Sequence, residues 1–268
     1  MDSWRRRRVR CPWRPRRSAF TAITPPLRRY SAASASSCRG SSRSPVITFP
    51  GPVSALVTLP VAPDRDGIAR VLRLERCARA ALPDLRATIP AFNRLLVEGS
   101  PHSWDAEDVE SRLAAAAEEC LAETPRIDEG DPVSLPVCYD PALAPDLQEV
   151  AANAGVDVAD VARLHSGTTY AVLATGFAPG FAYMGDVDAR IAMPRLTTPR
   201  PRVEAGAVGI ADRRTGIYPA AGPGGWRLIG RVPSALFADA AERIARFRPG
   251  GSVAFRPIDR DEYEAAGG

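Results

Sequence analysis

The spacing of apolar positions changes along this chain, and each change predicts a different element. Val53–Pro60 (VSALVTLP) reads as a strand closed by its proline. Asp66–Ala81 places Ile68, Val71, Leu72 and Leu74 at helical spacing with arginines on the other side, and Pro83 ends the helix. Arg86–Glu98 reads as two strand pieces broken at Pro90, and Trp104–Leu121 as a second helix capped by Ser103, with Glu107 close to the capping-box position. Strand, helix, strand, strand, helix suits a small ferredoxin-like layer. The polar stretch Thr124–Asp131 then makes a boundary. Beyond it come a strand at Val133–Tyr139, a helix–glycine–helix pair over Leu147–Ser166, and a strand at Thr169–Leu173. From Ala174 to Pro233 glycine and proline recur every few residues, which excludes long helices and predicts short strands joined by tight turns. A short helix over Ser234–Ile244 and a last strand at Ser252–Pro257 close a small barrel. The expected class is α+β: residues 46–124 form a small ferredoxin-like α/β N-terminal domain, and residues 131–260 a β-barrel domain.

The breaker-rich segment also holds the chemistry. Gly176, Phe177, Pro179, Gly180 and Tyr183 set two glycines, where backbone can approach a ligand closely, beside aromatic rings. The runs Thr215-Gly216-Ile217-Tyr218-Pro219 and Gly222-Pro223-Gly224-Gly225-Trp226 repeat the recipe and add hydroxyls, Trp226 and Arg227. Corners of a barrel need glycine and proline for purely structural reasons too. Arg195, Arg200 and Arg202 flank prolines, and proline-stiffened backbone holds such side chains at a spacing that suits a carboxylate or phosphate. Pairing with acids such as Glu204, or with a partner subunit, is the alternative for these cations. His165 is the one histidine of the segment's surroundings that could serve as a general base, or equally a helix C-terminal cap. Asp186 and Asp188 read as turn carboxylates. The helix pair over 147–166 imitates a DNA-reading helix–turn–helix, but its second helix leads with Asp157 and Asp160, which a phosphate-lined groove disfavours.

Three runs, GFAPGFAY at Gly176–Tyr183, TPRPRVEAGAVGIA at Thr198–Ala211, and TGIYPAAGPGGWRLIGRVP at Thr215–Pro233, resemble the signature of the family of 5-oxoprolinase B subunits, also called allophanate hydrolase subunit 1 or the Kip-inhibitor family. The similarity covers about Phe49 to Ile258. It implies a cyclophilin-like barrel preceded by a smaller α/β domain, and a protein that acts with a C subunit of the Kip-antagonist type and a separate A subunit. Such complexes hydrolyse 5-oxoproline to glutamate with ATP as co-substrate, the nucleotide allowing the stable lactam carbonyl to be activated before water attacks. On that resemblance His165, Arg202, Thr215 and Tyr218 are the catalytic candidates. Gly176, Phe177, Pro179, Gly180 and Tyr183, with Arg214, Gly216, Pro223, Gly224, Gly225 and Trp226, are the substrate-binding ones. The chain departs from the family pattern at Arg214, commonly glutamine, at Gly222, commonly serine, and at Gly51-Pro52-Val53, where a Gly-Asp pair is usual. An interaction protein that inhibits a histidine kinase, or a component of an enzyme for allophanate or other urea-derived substrates, is the alternative implied. No Walker-type phosphate loop is present, and a chain without lysine has no means of forming one, so an ATP site is either unconventional or carried by a partner.

Charge changes the picture at the start of the chain only. Residues 1–44 hold twelve arginines and one aspartate, a tail of +11 within a chain of +4, so the body after it stands at −7. A tail rich in Arg and Ser without apolar periodicity is expected to be disordered; its composition imitates a transit peptide, and a translation start near Val46 or Val53 is the preferred account of the extension 1–45. No apolar run reaches the eighteen residues of a membrane span, and the five scattered cysteines form no disulfide or metal pattern, which points to a cytoplasmic protein with no metal, nucleic-acid or membrane partner.

Overall fold

Strand β6 (Thr169–Thr175) belongs to two cores at once, and the rest of the fold is arranged about it. Side chains alternate across a strand, so Tyr170 and Val172 face one apolar cluster while Ala171 and Leu173 face the other. In this computed structural model residues 44–123, 130–237, 239, 242 and 246–268 are described. Residues 1–43 of the expected extension, 124–129 of the expected boundary and most of 238–245 in the expected helix lie outside them.

The first cluster-forming layer is a four-stranded antiparallel sheet in the order β1 (Val46–Gly51), β2 (Ser54–Thr58), β4 (Arg94–Glu98), β3 (Ala87–Ala91). Helices α1 (Arg65–Ala81) and α2 (Ala106–Ala122) pack on it. Ile68, Val71 and Leu74 of α1 are fully buried against Val57, Leu95 and Val97, as their helical spacing requires. The pattern of apolar positions left out β1, which supplies the outer strand of the ferredoxin-like layer from the N-terminal side of β2. Pro90 does not break the strand pair either. It sits inside β3, at the edge of the sheet, where a missing N–H costs no ladder bond; the reversal comes at Phe92, whose φ is 56°. The cap of α2 is Asp105 rather than Ser103: its carboxylate accepts from the N–H groups of Glu107 and Asp108, both at 3.0 Å. At the other end of α2, the Arg70 guanidinium donates to the carbonyls of Cys120, Leu121 and Glu123, satisfying orphan acceptors of the last turn.

Among the described residues seven strands close a barrel, in the order β10 (Arg214–Ile217), β7 (Ala182–Gly185), β6, β13 (Ser252–Ile258), β5 (Val133–Cys138), β12 (Arg227–Arg231), β9 (Ala207–Ala211). All neighbours are antiparallel except β5 and β13, which lie far apart in the chain and run parallel. A two-stranded ribbon of β8 (Arg200–Val203) and β11 (Gly222–Gly224) stands beside the barrel. Helices α3 (Leu147–Ala154) and α4 (Val158–Ser166) are joined through Gly155 at φ 66° and lie on the barrel wall, where α4 carries His165 into the core rather than to the rim. Ser234–Phe237 forms a 3-10 turn, and α5 (Arg260–Ala265), absent from the sequence pattern, follows β13. The layer and the barrel meet where the Phe92 N–H donates to the Leu173 carbonyl at 2.7 Å.

Candidate functional site

Outside the barrel's main core, a separate cluster joins Phe181, Val203, Tyr218, Trp226 and Leu228. It brings the three signature runs together. The loop between β6 and β7 sets Phe177 at φ 75° between Gly176 at φ 142° and Gly180 at φ 88°, and closes on itself through Gly176 N–H to Phe181 O (3.2 Å) and Phe181 N–H to Ala178 O (2.9 Å). Only glycine takes such angles without cost, so the pair lets Phe177 stand out from the surface, 64% exposed, in a conformation that other residues avoid. Its ring meets Phe181 edge-on at 5.3 Å and Tyr218 at 6.3 Å. Phe181 in turn lies 5.0 Å from Tyr183 and 5.5 Å from Trp226, near perpendicular in both cases, so each ring's positive edge meets a negative face.

These rings wall a cavity of about 270 Å³. Seven of the residues expected at a site line it: Phe177, Tyr183, Tyr218, Pro223, Gly224, Gly225 and Trp226; Phe181, Arg195 and Pro199 complete it. Gly224 is required here for space, because a Cβ at that position would fall 2.3 Å from the Tyr218 hydroxyl oxygen. Burial pushes the Tyr218 hydroxyl above its ordinary value, while a backbone hydrogen bond from Trp226 and the charges of Arg195 and Arg200 pull against that shift. Gly176, Pro179 and Gly180 line a neighbouring depression of about 380 Å³ with Thr175 and Phe247. A larger groove, about 620 Å³ between α1 and the turn before β13, is lined by none of the signature residues. The aromatic cavity is therefore the candidate site despite its smaller volume.

The other expected residues lie elsewhere. His165 is fully buried in the barrel core, stacked on Phe255 at 4.6 Å. Its ring nitrogens lie 2.7 Å from the Tyr139 hydroxyl and 2.8 Å from Thr215 Oγ1. Thr215 donates its own proton to the Gly209 carbonyl at 3.1 Å and must accept from the ring, so Nε2 carries the hydrogen and Nδ1 accepts from Tyr139. Burial lowers the pKa of this imidazole to about 3, and the chain Tyr139–His165–Thr215–Gly209 is a neutral, saturated relay that ties α4 and the residue following β5 to β9 and β10. Gly216 is packed against the Ala182 carbonyl in the wall of the barrel. Arg202 points outward and pairs with Glu204 at 2.7 Å, the alternative that the sequence left open. Arg214 pairs with Asp186, donates to the Pro63 carbonyl at 2.7 Å, and lies over the Phe92 ring, which seats this departure from the family pattern at the junction with the α/β layer.

Residues that the sequence did not single out hold the cavity in place. Asp146, nearly buried ahead of α3, accepts from Arg200 and from the Leu228 N–H, each at 2.7 Å. Glu149 pairs with Arg227 at 2.6 Å, and Arg227 Nε donates to the Pro194 carbonyl. Both carboxylates come from α3 and its cap, whereas the two acids that lead the second helix act locally: Asp157 caps α4 by accepting from the Asp160 N–H at 2.7 Å, and Asp160 pairs with Arg163 at 2.6 Å. No helix among the described residues is long and apolar enough to cross a membrane, and no group of three or more metal-ligating side chains occurs among them.

Comparison with known proteins identifies this arrangement. The family profile described as carboxyltransferase domain, subdomain C and D, matches residues 45–247. The 5-oxoprolinase B subunit of Bacillus subtilis (strain 168) is 42% identical over 197 residues, which is 68% of this chain and 80% of that one. Among solved structures, that of TTHA0988 matches with a TM-score of 0.62 and 32% identity over 77% of this chain, which spans only 40% of that longer one. The urea amidolyase of K. lactis matches with a TM-score of 0.63 but 19% identity, over 82% of this chain and 15% of its own, and shares the fold. By its signature runs, its barrel and these relatives, the chain belongs to the family of 5-oxoprolinase B subunits and carries the carboxyltransferase domain, subdomain C and D.

Proposed function

We propose that this chain is the B subunit of an ATP-dependent 5-oxoprolinase of the cytoplasm, working with the A and C subunits to open 5-oxoproline to glutamate and inactive alone. The observation that carries the reading is the convergence of three separate signature runs on one aromatic-walled cavity in a chain 42% identical to a 5-oxoprolinase B subunit. In this reading the barrel domain, 131–260, bears the site and the α/β domain, 46–124, braces it. Phe177, Tyr183, Tyr218 and Trp226 flank the lactam ring and exclude water from it, while the Gly224-Gly225 backbone lets the ligand come close. ATP is a co-substrate of the assembled complex. His165 and Thr215 support the site by fixing the barrel wall behind it.

The test is 5-oxoproline-dependent ATP hydrolysis by this chain mixed with its A and C subunits, against the same mixture without it. ADP and glutamate formed only in the full mixture support the reading. A well-folded three-part complex with no turnover sinks it.

A further inference from the structure

We infer that the aromatic cavity holds a small ring that bears a carboxylate, and that Arg195 is the side chain that clamps this carboxylate. The identity of the ring as 5-oxoproline rests on the function proposed above; the chemical class rests on the geometry.

Three arginines lie on the proline-stiffened run beside the cavity, and two are already engaged. Arg200 is paired with Asp146, and Arg202 with Glu204. Arg195 makes no hydrogen bond or ion pair among the described residues, yet it lines the cavity and its charge reaches the Tyr218 hydroxyl. Its backbone is held on both sides. The preceding residue, Pro194, accepts from Arg227 Nε at 3.3 Å, and the following one, Leu196, donates its N–H to the Gly225 carbonyl at 2.8 Å. A guanidinium at the edge of an aromatic-walled cavity, with its fork unoccupied and its main chain anchored, suits a planar carboxylate bidentately. Size limits the rest of the ligand. Drug-sized molecules occupy cavities of roughly 300–1,000 Å³, so about 270 Å³ suits a single small ring.

The test is isothermal titration of the full chain with 5-oxoproline and with pyrrolidin-2-one, the same lactam without its carboxylate. Arg195 is exposed, so Arg195→Gln is expected to melt within a degree or two of the wild type. 5-Oxoproline is expected to bind at least tenfold tighter than pyrrolidin-2-one, and Arg195→Gln to erase that preference. Equal binding of the two ligands by the wild type, no binding of 5-oxoproline, or an unchanged preference in the variant each overturns the inference. In the assembled complex, Arg195→Gln is expected to raise KM for 5-oxoproline tenfold or more. A wild-type KM in that variant removes the clamp and leaves the proposed function standing, whereas a wild-type complex without turnover removes the proposed function and leaves the clamp to be decided by the titration.

Discussion

Acid is expected to unfold this protein partly through one side chain, His165. In the folded state its ring is neutral, enclosed, and bound at both nitrogens, with a pKa lowered to about 3 from an ordinary 6.5. Below pH 6.5 the unfolded chain takes up a proton that the folded chain refuses. A depressed folded value means that stability is complete above pH 6.5 and falls as the pH drops from 6.5 toward 3. At about 1.4 kcal/mol per unit, the loss between pH 7 and pH 5 amounts to about 2 kcal/mol. His165→Gln keeps an acceptor for Tyr139 and a donor for Thr215 but has nothing to titrate. It is expected to be less stable at pH 7 by about 1–3 kcal/mol, since the ring contacts with Phe255 and Tyr170 are lost. The measurement is urea unfolding of both proteins at pH 7 and pH 5. Carboxylates and His102 are common to the two, so the difference between their pH dependences isolates residue 165. The wild type should lose about 2 kcal/mol more than the variant over that interval. Equal losses would refute the neutral-relay argument.

Three other outcomes follow from contacts of the same kind. Gly224→Ala is expected to cost about 1–3 kcal/mol and to alter the near-ultraviolet circular dichroism, because its Cβ displaces the Tyr218 ring; an unchanged melt and spectrum would contradict the packing. Asp146→Ala leaves the Arg200 charge and the Leu228 N–H without their acceptor, and urea titration should show a loss of about 2–3 kcal/mol, discounted from a fully buried pair because Arg200 is partly solvated. Cys120 is buried 3.9 Å from the Cys77 sulfur and its thiol is pushed up to about 12, so peptide mapping after iodoacetamide should find Cys77 labelled and Cys120 spared in the native protein, and both labelled in urea.

Sequence alone determined the elements whose local pattern and burial agree. Ile68, Val71 and Leu74 recur at helical spacing because α1 lies on one sheet, and glycine and proline recur through 174–233 because short strands must turn there. The aromatic and glycine residues of the cavity were legible for the same reason: each run carries its own turn chemistry and its own rings. What the sequence left open concerns partners distant along the chain. Pro90 reads as a break until β3 is known to be an edge strand, and β1 is a short run ending in Pro50 and Gly51 that becomes a strand only by pairing with β2. His165 reads as a base until burial and two hydroxyl partners neutralise it. Whether an arginine is free to take a ligand depends on which carboxylate lies opposite. Arg200 meets Asp146, 54 residues away, while Arg195 meets none among the described residues, and that difference exists only after the helix pair has docked on the barrel. Local pattern records what a residue does to its neighbours in the chain; charge pairing and desolvation depend on neighbours in space, and only the tertiary structure decided those.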